Sequence, residues 1–94
     1  MIKTDKLIHE PTRMKIMSLL SANEKADFNF LKNTLNLTDG NLSTHLRKLE
    51  KANYVHIEKT FVDNKHKTYL MITSFGKKRL KDYIRFLEKL IKEI

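Results

Sequence analysis

The 94-residue chain has no cysteine, only one proline and two glycines, and no long apolar run. Without cysteine it has no disulfide, no thiolate metal site and no cysteine nucleophile, and we expect a cytoplasmic protein. So little glycine and proline argues against a loop-rich or disordered chain. Charges interrupt every apolar run before it reaches the roughly 18 residues of a membrane span, so we expect neither a signal peptide nor a membrane partner.

Acidic residues are scarce relative to basic ones. There are 11 Asp and Glu against 19 Lys and Arg, which gives a formal net charge of +8. In a chain of this size the excess indicates a polyanionic partner, either nucleic acid or an anionic membrane, although charge that serves only solubility is the alternative. The length suits one domain, residues 1–94, with a single modest core.

Residue sets that carry catalysis or bind metals are also missing. The four histidines, His9, His45, His56 and His66, do not share metal-ligand spacing, and no acid cluster completes a site. His45 fits a partly buried, hydrogen-bonded residue instead. The chain has no catalytic triad, no paired catalytic carboxylates and no glycine-rich phosphate loop. We therefore predict a protein that is not an enzyme and has no metal and no cofactor.

The most informative stretch is residues 38–52. Leu42, Leu46 and Leu49 recur at i, i+4 and i+7, which places them on one side of an α-helix. The opposite side has no acid and no large apolar residue; it carries hydroxyls towards its N-terminus and cations towards its C-terminus. Such a side suits hydrogen-bonding edges flanked by negative charge, so we predict a DNA recognition helix. This outer side consists of Gly40, Ser43, Thr44, Arg47, Lys48 and Lys51.

The elements before this helix are weaker in pattern. Residues 1–10 predict a weak amphipathic helix with a break or kink ahead of Pro11, where a helix resumes. Residues 21–25 lose the helical period and predict a loop. Asp27 is a suitable N-cap for a short helix that ends near Asn36. Two short helices joined by about three or four residues have helix-turn-helix spacing.

A hairpin is predicted after the recognition helix. Asn53 tolerates the left-handed conformation at a helix C-terminus. Residues 54–62 and 67–72 are rich in β-branched and aromatic side chains, which favour strands. The polar, mostly cationic stretch 63–67 between them predicts the tip of an antiparallel hairpin.

The last helix is predicted over residues 74–94, with Thr73 as its cap. Its apolar seam extends beyond what so small a domain can cover. Packing on the chain's own first helix is one interpretation, and we favour a dimer in which residues 1–20 and 74–94 of two chains pack together. The residues predicted to form the dimer contact are Tyr83, Phe86, Leu87, Leu90, Ile91 and Ile94.

The order helix, helix, helix, hairpin, helix supports a family resemblance. Residues 37–55 resemble the core of small stand-alone winged-helix regulators of the MarR/ArsR type, although Asn53 stands where such sequences usually have glycine. Residues 11–20 resemble their hPxRxxIxxxL first helix, residues 28–32 their second helix, and residues 72–76 their LTxxG entry to the last helix. The likeness covers about residues 8 to 80.

The resemblance implies a mainly α fold with a β-hairpin (α+β). In this winged helix-turn-helix, a three-helix core carries a wing, here residues 59–69, and a long C-terminal dimerisation helix. It also implies a homodimeric transcriptional regulator that binds double-stranded DNA. Residues that read bases should lie on the outer side near the start of the recognition helix. These are Ser43, Thr44 and Arg47, with Asn41 as a flanking candidate.

Phosphate contacts are expected around these readers. Gly40 would let the backbone approach a phosphate at the helix N-terminus, or else serve tight packing between the second and third helices. The wing would touch the DNA backbone or an adjacent minor groove, or else remain solvated. The predicted phosphate contacts are Thr38, Gly40, Lys48, Lys51, Lys65, His66 and Lys67.

Other classes of function stay open at this point. A winged helix can serve as a protein-interaction or architectural module with only sequence-neutral attraction to DNA. The basic amphipathic last helix could instead attach to an anionic membrane surface. No polar constellation marks the site of a small-molecule effector.

Overall fold

The structure of the protein, a computed structural model, describes residues 5–94. Helix α1 (Pro11–Ala22) is followed by strand β1 (Ala26–Asp27) and helices α2 (Phe28–Leu35) and α3 (Asp39–Lys51). A hairpin of strands β2 (Val55–Val62) and β3 (Lys65–Ile72) then leads into helix α4 (Ser74–Lys92). The predicted mainly α fold with a β-hairpin wing is confirmed.

Helix α1 begins at Pro11, as predicted. The Glu10 carboxylate accepts hydrogen bonds from the backbone N–H groups of Thr12 and Arg13, and proline fills the first helical position, where no N–H is needed. The amphipathic helix predicted over residues 1–10 is wrong for residues 5–10, which form turns, and residues 1–4 lie outside the described part. The loop predicted over 21–25 starts later, because α1 continues to Ala22.

Local capping chemistry sets the ends of α2 and α3. The Asp27 carboxylate accepts from the backbone N–H of Asn29 at 2.7 Å, and Asn36 ends α2 with a φ of 54°. Thr38 Oγ1 accepts from the backbone N–H of Asn41 at 3.1 Å at the start of α3. These caps confirm the predicted ends, and they keep the connection between the two helices short.

The hairpin is longer and tighter than predicted. Asn53, with a φ of 64°, turns the chain from α3 into β2, and the two strands pair from Val55 opposite Ile72 to Val62 opposite Lys65. Asp63 and Asn64 both have positive φ, which fits the type I′ turn that closes two-residue hairpins. The predicted tip at 63–67 is therefore wrong in extent, because β3 already begins at Lys65.

Strand β1 was not predicted. It pairs with β3 in antiparallel fashion through Ala26 opposite Leu70 and Asp27 opposite Tyr69, so the sheet has the order β1-β3-β2. Two residues are too few to show a strand period in the sequence. The extra strand holds the base of the hairpin beside the start of α2.

The core fixes which side of α3 faces outwards. Leu42, Leu46 and Leu49 are buried and pack in one cluster with residues of α1, α2 and the sheet, such as Ile16 and Leu31. Burying each such side chain contributes about 1.5–3 kcal/mol. The leucine side of α3 is thereby held against the other helices, and the opposite side is left at the surface.

A buried carboxylate ties the N-terminal segment to α4. Asp5 Oδ2 accepts from the Tyr54 hydroxyl at 2.7 Å and from Arg79 Nη2 at 3.0 Å, while Asp5 Oδ1 accepts from the backbone N–H of Leu7 at 3.0 Å. Burial raises the pKa of the Asp5 carboxyl, but the hydrogen bonds from Tyr54, the Ile8 backbone and Arg79 outweigh it and bring the pKa below its ordinary value of 3.8. The group is therefore ionised near neutral pH and fixes residues 5–8 against α4.

Candidate nucleic-acid interface

The outer side of α3 is at the surface, as its pattern predicts. Asn41, Thr44, Arg47, Lys48 and Lys51 are exposed, and Ser43 is half-buried. Gly40 and the preceding Thr38 are also exposed. The structure therefore brings the predicted base-reading and phosphate-contacting residues of α3 onto one accessible surface.

Two threonine hydroxyls on this surface differ in what they can offer a ligand. Thr38 Oγ1 accepts from the Asn41 backbone, so its own hydroxyl hydrogen stays available to donate. Thr44 Oγ1 donates to the carbonyl oxygen of Gly40 at 2.9 Å, so its remaining capacity is to accept. Thr38 is thus suited to a phosphate oxygen, and Thr44 to the amino group of adenine or cytosine in a major groove.

Acidic residues flank the outer side of α3 without occupying its middle. Asp39, in the first turn, forms an ion pair with Lys32 of α2, with 3.0 Å between the Asp39 carboxylate and the Lys32 ammonium. Glu50 is exposed at the edge of the helix that faces the hairpin. The pairing of Asp39 reduces the negative charge beside the helix N-terminus, where an anion would bind.

A groove of about 720 Å³ separates α3 from the hairpin. Ser43 and Arg47 line it from the helix, and Lys59 and Thr68 line it from the strands. Lys59 and Thr68 lie opposite each other in the strand register. These two residues were not predicted to belong to the site. Ile57, which also lines the groove, lies two residues from Lys59 on the same strand, and this spacing is the signal that could have identified the side they share.

Alternation along the strands gives the hairpin two different sides. One side carries Ile57, Lys59 and Thr68 and faces α3. Of the three wing residues predicted to contact phosphate, His66 is on this side, since it lies opposite Phe61, two residues beyond Lys59. Lys65 and Lys67 point to the other side.

Lys67 already has a partner within the chain. Its ammonium lies 2.9 Å from the Asp27 carboxylate, which raises the pKa of Lys67 and lowers that of Asp27. This pair fastens β3 to the start of α2. A phosphate contact by Lys67 would therefore compete with the ion pair, whereas Lys65 is exposed at the end of the strand.

His45 connects α3 to α1. Its Nδ1 lies 3.1 Å from Arg13 Nη1 and 3.6 Å from a carboxylate oxygen of Glu10, and Arg13 Nε donates to the carbonyl oxygen of Leu7 at 2.6 Å. The prediction of a partly buried, hydrogen-bonded histidine is confirmed. The contact helps set the orientation of α3 relative to the N-terminal segment.

The residues predicted to form a dimer contact on α4 have different surroundings. Tyr83 is 5% exposed and hydrogen-bonds to His9, so packing within its own chain accounts for it. Phe86 and Leu87 are half-buried against the core. The other apolar residues of this stretch are exposed, and they include Ile84, which the predicted set omitted. The exposed residues are Ile84, Leu90, Ile91 and Ile94.

Comparison with known proteins decides the family. A family described as winged helix DNA-binding domain matches residues 12–91. The chain belongs to this family. An uncharacterised protein of Methanocaldococcus jannaschii is 42% identical to the winged helix protein over 89 residues, which cover 95% of this chain and 97% of the relative.

Solved structures agree with this assignment. A transcriptional regulator homologue from Pyrococcus horikoshii OT3 is 33% identical, with a TM-score of 0.87 and coverage of 93% of this chain and 86% of the other. A MarR family transcriptional regulator from Silicibacter pomeroyi DSS has a TM-score of 0.72 at 18% identity, covering 93% of this chain and 57% of the other, and shows the fold alone. The predicted resemblance to small winged-helix regulators of the MarR/ArsR type is confirmed at the level of the winged-helix fold.

Gly40 of the winged helix protein has no packing role. A Cβ atom built at this position meets nothing within 4 Å, so the alternative of tight packing between α2 and α3 is excluded. The close approach of a phosphate to the backbone at the start of α3 stays a prediction for this glycine.

Substitution of Gly40 by alanine separates folding from binding. We expect Gly40→Ala to fold as the wild type and to unfold at the same or a slightly higher temperature, because alanine is the better helix former. We also expect about three- to tenfold weaker binding to duplex DNA, since the methyl group would hold a phosphate away from the helix N-terminus. Thermal unfolding and a mobility-shift titration measure the two effects. Unchanged affinity would show that DNA does not approach the backbone here.

Two further observations concern possible metal sites and membrane-spanning helices. Across residues 5–94, no group of three or more histidine, aspartate or glutamate side chains is placed to hold a metal ion. Within the same range, no helix has the length and apolar character needed to cross a membrane.

Proposed function

We propose that the protein is a sequence-specific transcriptional regulator that binds double-stranded DNA as a homodimer. Helix α3 would lie in the major groove, and the wing, residues 59–69, on the backbone or in the minor groove. The observation that carries this proposal is the exposed outer side of α3, which presents hydroxyls, an amide and cations while its leucines are buried. The major groove admits one α-helix and shows a distinct pattern of donors and acceptors for each base pair.

Base reading is assigned to the first half of this side. Arg47 is exposed and can donate two hydrogen bonds to the O6 and N7 atoms of a guanine. Thr44, whose hydroxyl hydrogen is engaged by Gly40, would accept from an adenine or cytosine amino group. Ser43 and Asn41, on either side of this pair, would contact bases or the adjacent backbone.

Phosphate contacts are assigned to the cations and to the helix N-terminus. Lys48 and Lys51 are exposed near the end of α3, where their ammonium groups would contact phosphates that border the major groove. Each phosphate contact releases counterions, so binding weakens as the salt concentration rises. These contacts do not depend on the base sequence. Thr38 would donate its hydroxyl to a phosphate at the opposite end of the helix.

A dimer is supported by the exposed apolar end of α4. Leu90, Ile91 and Ile94 lie beyond the part of the helix that packs on the core, and Ile84 is exposed on the surface of that part. A twofold pairing of this surface would bury it and set two copies of α3 about 34 Å apart, in successive major grooves of a near-palindromic site. The same surface is what an interaction module would use, which is the alternative function.

Paired substitutions on α3 test whether bases are read. Duplexes selected by the wild type from a random-sequence pool would provide the specific site, and a scrambled duplex the comparison. We expect Arg47→Ala to lose about 5- to 100-fold in affinity for the selected site and to relax specificity at one position. We expect Lys48→Ala to weaken binding to both duplexes and to lower the salt slope by about one.

The outcome distinguishes the two functions. Equal losses for both variants on every duplex would show that no base is read, and would favour the interaction or architectural module. Absence of binding by the wild type above a low-salt background would remove the DNA-binding proposal altogether.

A further inference from the structure

The end of the wing carries an apolar side chain that the core does not use. Phe61, the second-last residue of β2, is 64% exposed. Its ring lies against His66 on the facing strand, with 4.2 Å between the ring centroids and planes inclined by 45°. Exposing an aromatic ring of this size to water is unfavourable. A partner that covers the ring would therefore gain binding free energy.

Strand register places this aromatic pair on the side of the wing that faces α3. Phe61 and His66 are paired residues, two positions beyond the Lys59 and Thr68 pair that lines the groove. Val62, which is 40% exposed, points to the opposite side beside Lys65. The aromatic pair therefore continues the surface formed by α3 and the groove, away from the base of the hairpin.

We propose that the Phe61–His66 pair enters the minor groove beside the segment read by α3, and that the Phe61 ring inserts at a base step and partly unstacks it. This rests on the proposed function. Minor-groove proteins use apolar wedges of this kind between cationic residues. Lys59 supplies a cation on the same side of the wing and Lys65 one on the opposite side, and the two-residue turn at Asp63–Asn64 keeps the tip narrow.

The surroundings favour DNA over a second protein surface as the occupant. The ring lies on the side that faces the groove, with the exposed ammonium of Lys59 two residues away. A protein pocket that covered the ring would also have to desolvate this cation, whereas a DNA backbone would pair with it. Wedge insertion adds a preference for easily unstacked steps, such as TA and CA/TG, outside the major-groove contacts.

Fluorescent duplexes test the insertion. The duplex selected by the wild type from a random pool would carry 2-aminopurine in place of single adenines that flank the α3 segment. We expect wild-type protein to raise the emission at one flanking position, because the base there loses its stacking. Phe61→Ala should abolish this rise and weaken binding about tenfold, the scale of one aromatic–base contact. Val62→Ala is the matched control and should retain both the rise and the affinity.

A change confined to the minor groove gives a second measurement. Replacing guanine by inosine at flanking positions removes the N2 amino group from the minor groove and leaves the major-groove edge unchanged. We expect tighter binding of the wild type to the inosine duplex and no such gain for Phe61→Ala. The thermal unfolding temperatures of Phe61→Ala and Val62→Ala should match that of the wild type, since both wild-type side chains are exposed.

The results separate this inference from the proposed function. If the wild type binds its selected duplex, Arg47→Ala binds it more weakly and Phe61→Ala behaves as the wild type, the wedge is overturned while the proposed regulator stands. If Phe61→Ala changes the sedimentation of the free protein but not the aminopurine emission, the ring is a contact between copies and the wedge is again overturned. If the wild type selects no duplex, the proposed function itself fails.

Discussion

Replacement of Ile91 by lysine is expected to convert the protein to a monomer and to lower its affinity for a duplex with two half-sites by about 100-fold or more. Ile91 is 70% exposed near the end of α4, so the substitution should leave the fold intact. A twofold dimer contact contains the substituted residue once from each chain. Each of the two lysines would place an unpaired ammonium in an apolar contact. The second recognition helix would then no longer be held near its half-site.

The measurement combines oligomeric state with binding. Sedimentation equilibrium would report the shift to monomer, and mobility-shift titrations would compare duplexes with one and with two half-sites. Affinity for the single half-site should remain at the wild-type level, which shows that α3 is intact. The substitution adds a positive charge, so non-specific attraction to DNA cannot explain a loss.

A matched control lies on the other side of the same helix. Lys89 is exposed on the side of α4 away from the apolar residues, and Lys89→Ala should remain dimeric. An Ile91→Lys protein that stays dimeric and binds the two-site duplex as tightly as the wild type would show that the dimer uses another surface. The role of α4 would then revert to packing on its own core.

Features set by neighbours in sequence were predictable in this chain. Asp27, Thr38 and Asn53 act on backbone groups within three residues, so their capping and turn roles follow from residue type and position. The period of Leu42 and Leu46 identifies the buried side of α3, and with it the outer side. The candidate recognition surface was therefore accessible to sequence reasoning.

Features that depend on residues distant in the sequence could not be predicted. Lys67 is engaged by Asp27, forty positions earlier, and nothing local distinguishes it from the exposed Lys65. Phe61 and Val62 are both exposed, so alternation of polar and apolar residues does not reveal which side of the wing each occupies. Only the pairing register places Phe61 opposite His66, towards α3.

The N-terminal segment shows the same limit. An apolar period suggested a helix over residues 1–10, yet residues 5–10 form turns. Asp5 binds the hydroxyl of Tyr54 and the guanidinium of Arg79, and it also accepts from the backbone of Leu7 and Ile8. A carboxylate that satisfies nearby backbone groups competes with helix formation, and two long-range contacts decide the competition here.

Gly76→Ala is expected to lower the free energy of unfolding by about 3 kcal/mol, at the upper end of the usual effect of overpacking. A Cβ atom on Gly76 would lie 2.2 Å from the carbonyl oxygen of Tyr54 and 3.0 Å from Cγ1 of Ile72. The first obstacle is backbone, which cannot rotate away. That carbonyl also accepts from the backbone N–H and the hydroxyl of Thr73 at 3.0 and 3.1 Å, so moving it would disturb Thr73, whose Oγ1 caps α4 by accepting from the backbone N–H of Gly76.

Urea unfolding followed by circular dichroism measures this effect, and Gly40→Ala is the control, because the same change there meets open space. Both positions lie in the first turn of a helix, so alanine's better helix propensity acts in the same direction in each, by at most about 1 kcal/mol. The difference between the two variants therefore isolates the steric contact with Tyr54. Equal stability of the two would mean that the start of α4 can move away from Tyr54. The close packing at Gly76 would then not be what positions α4, and with it the proposed dimer surface, relative to α3.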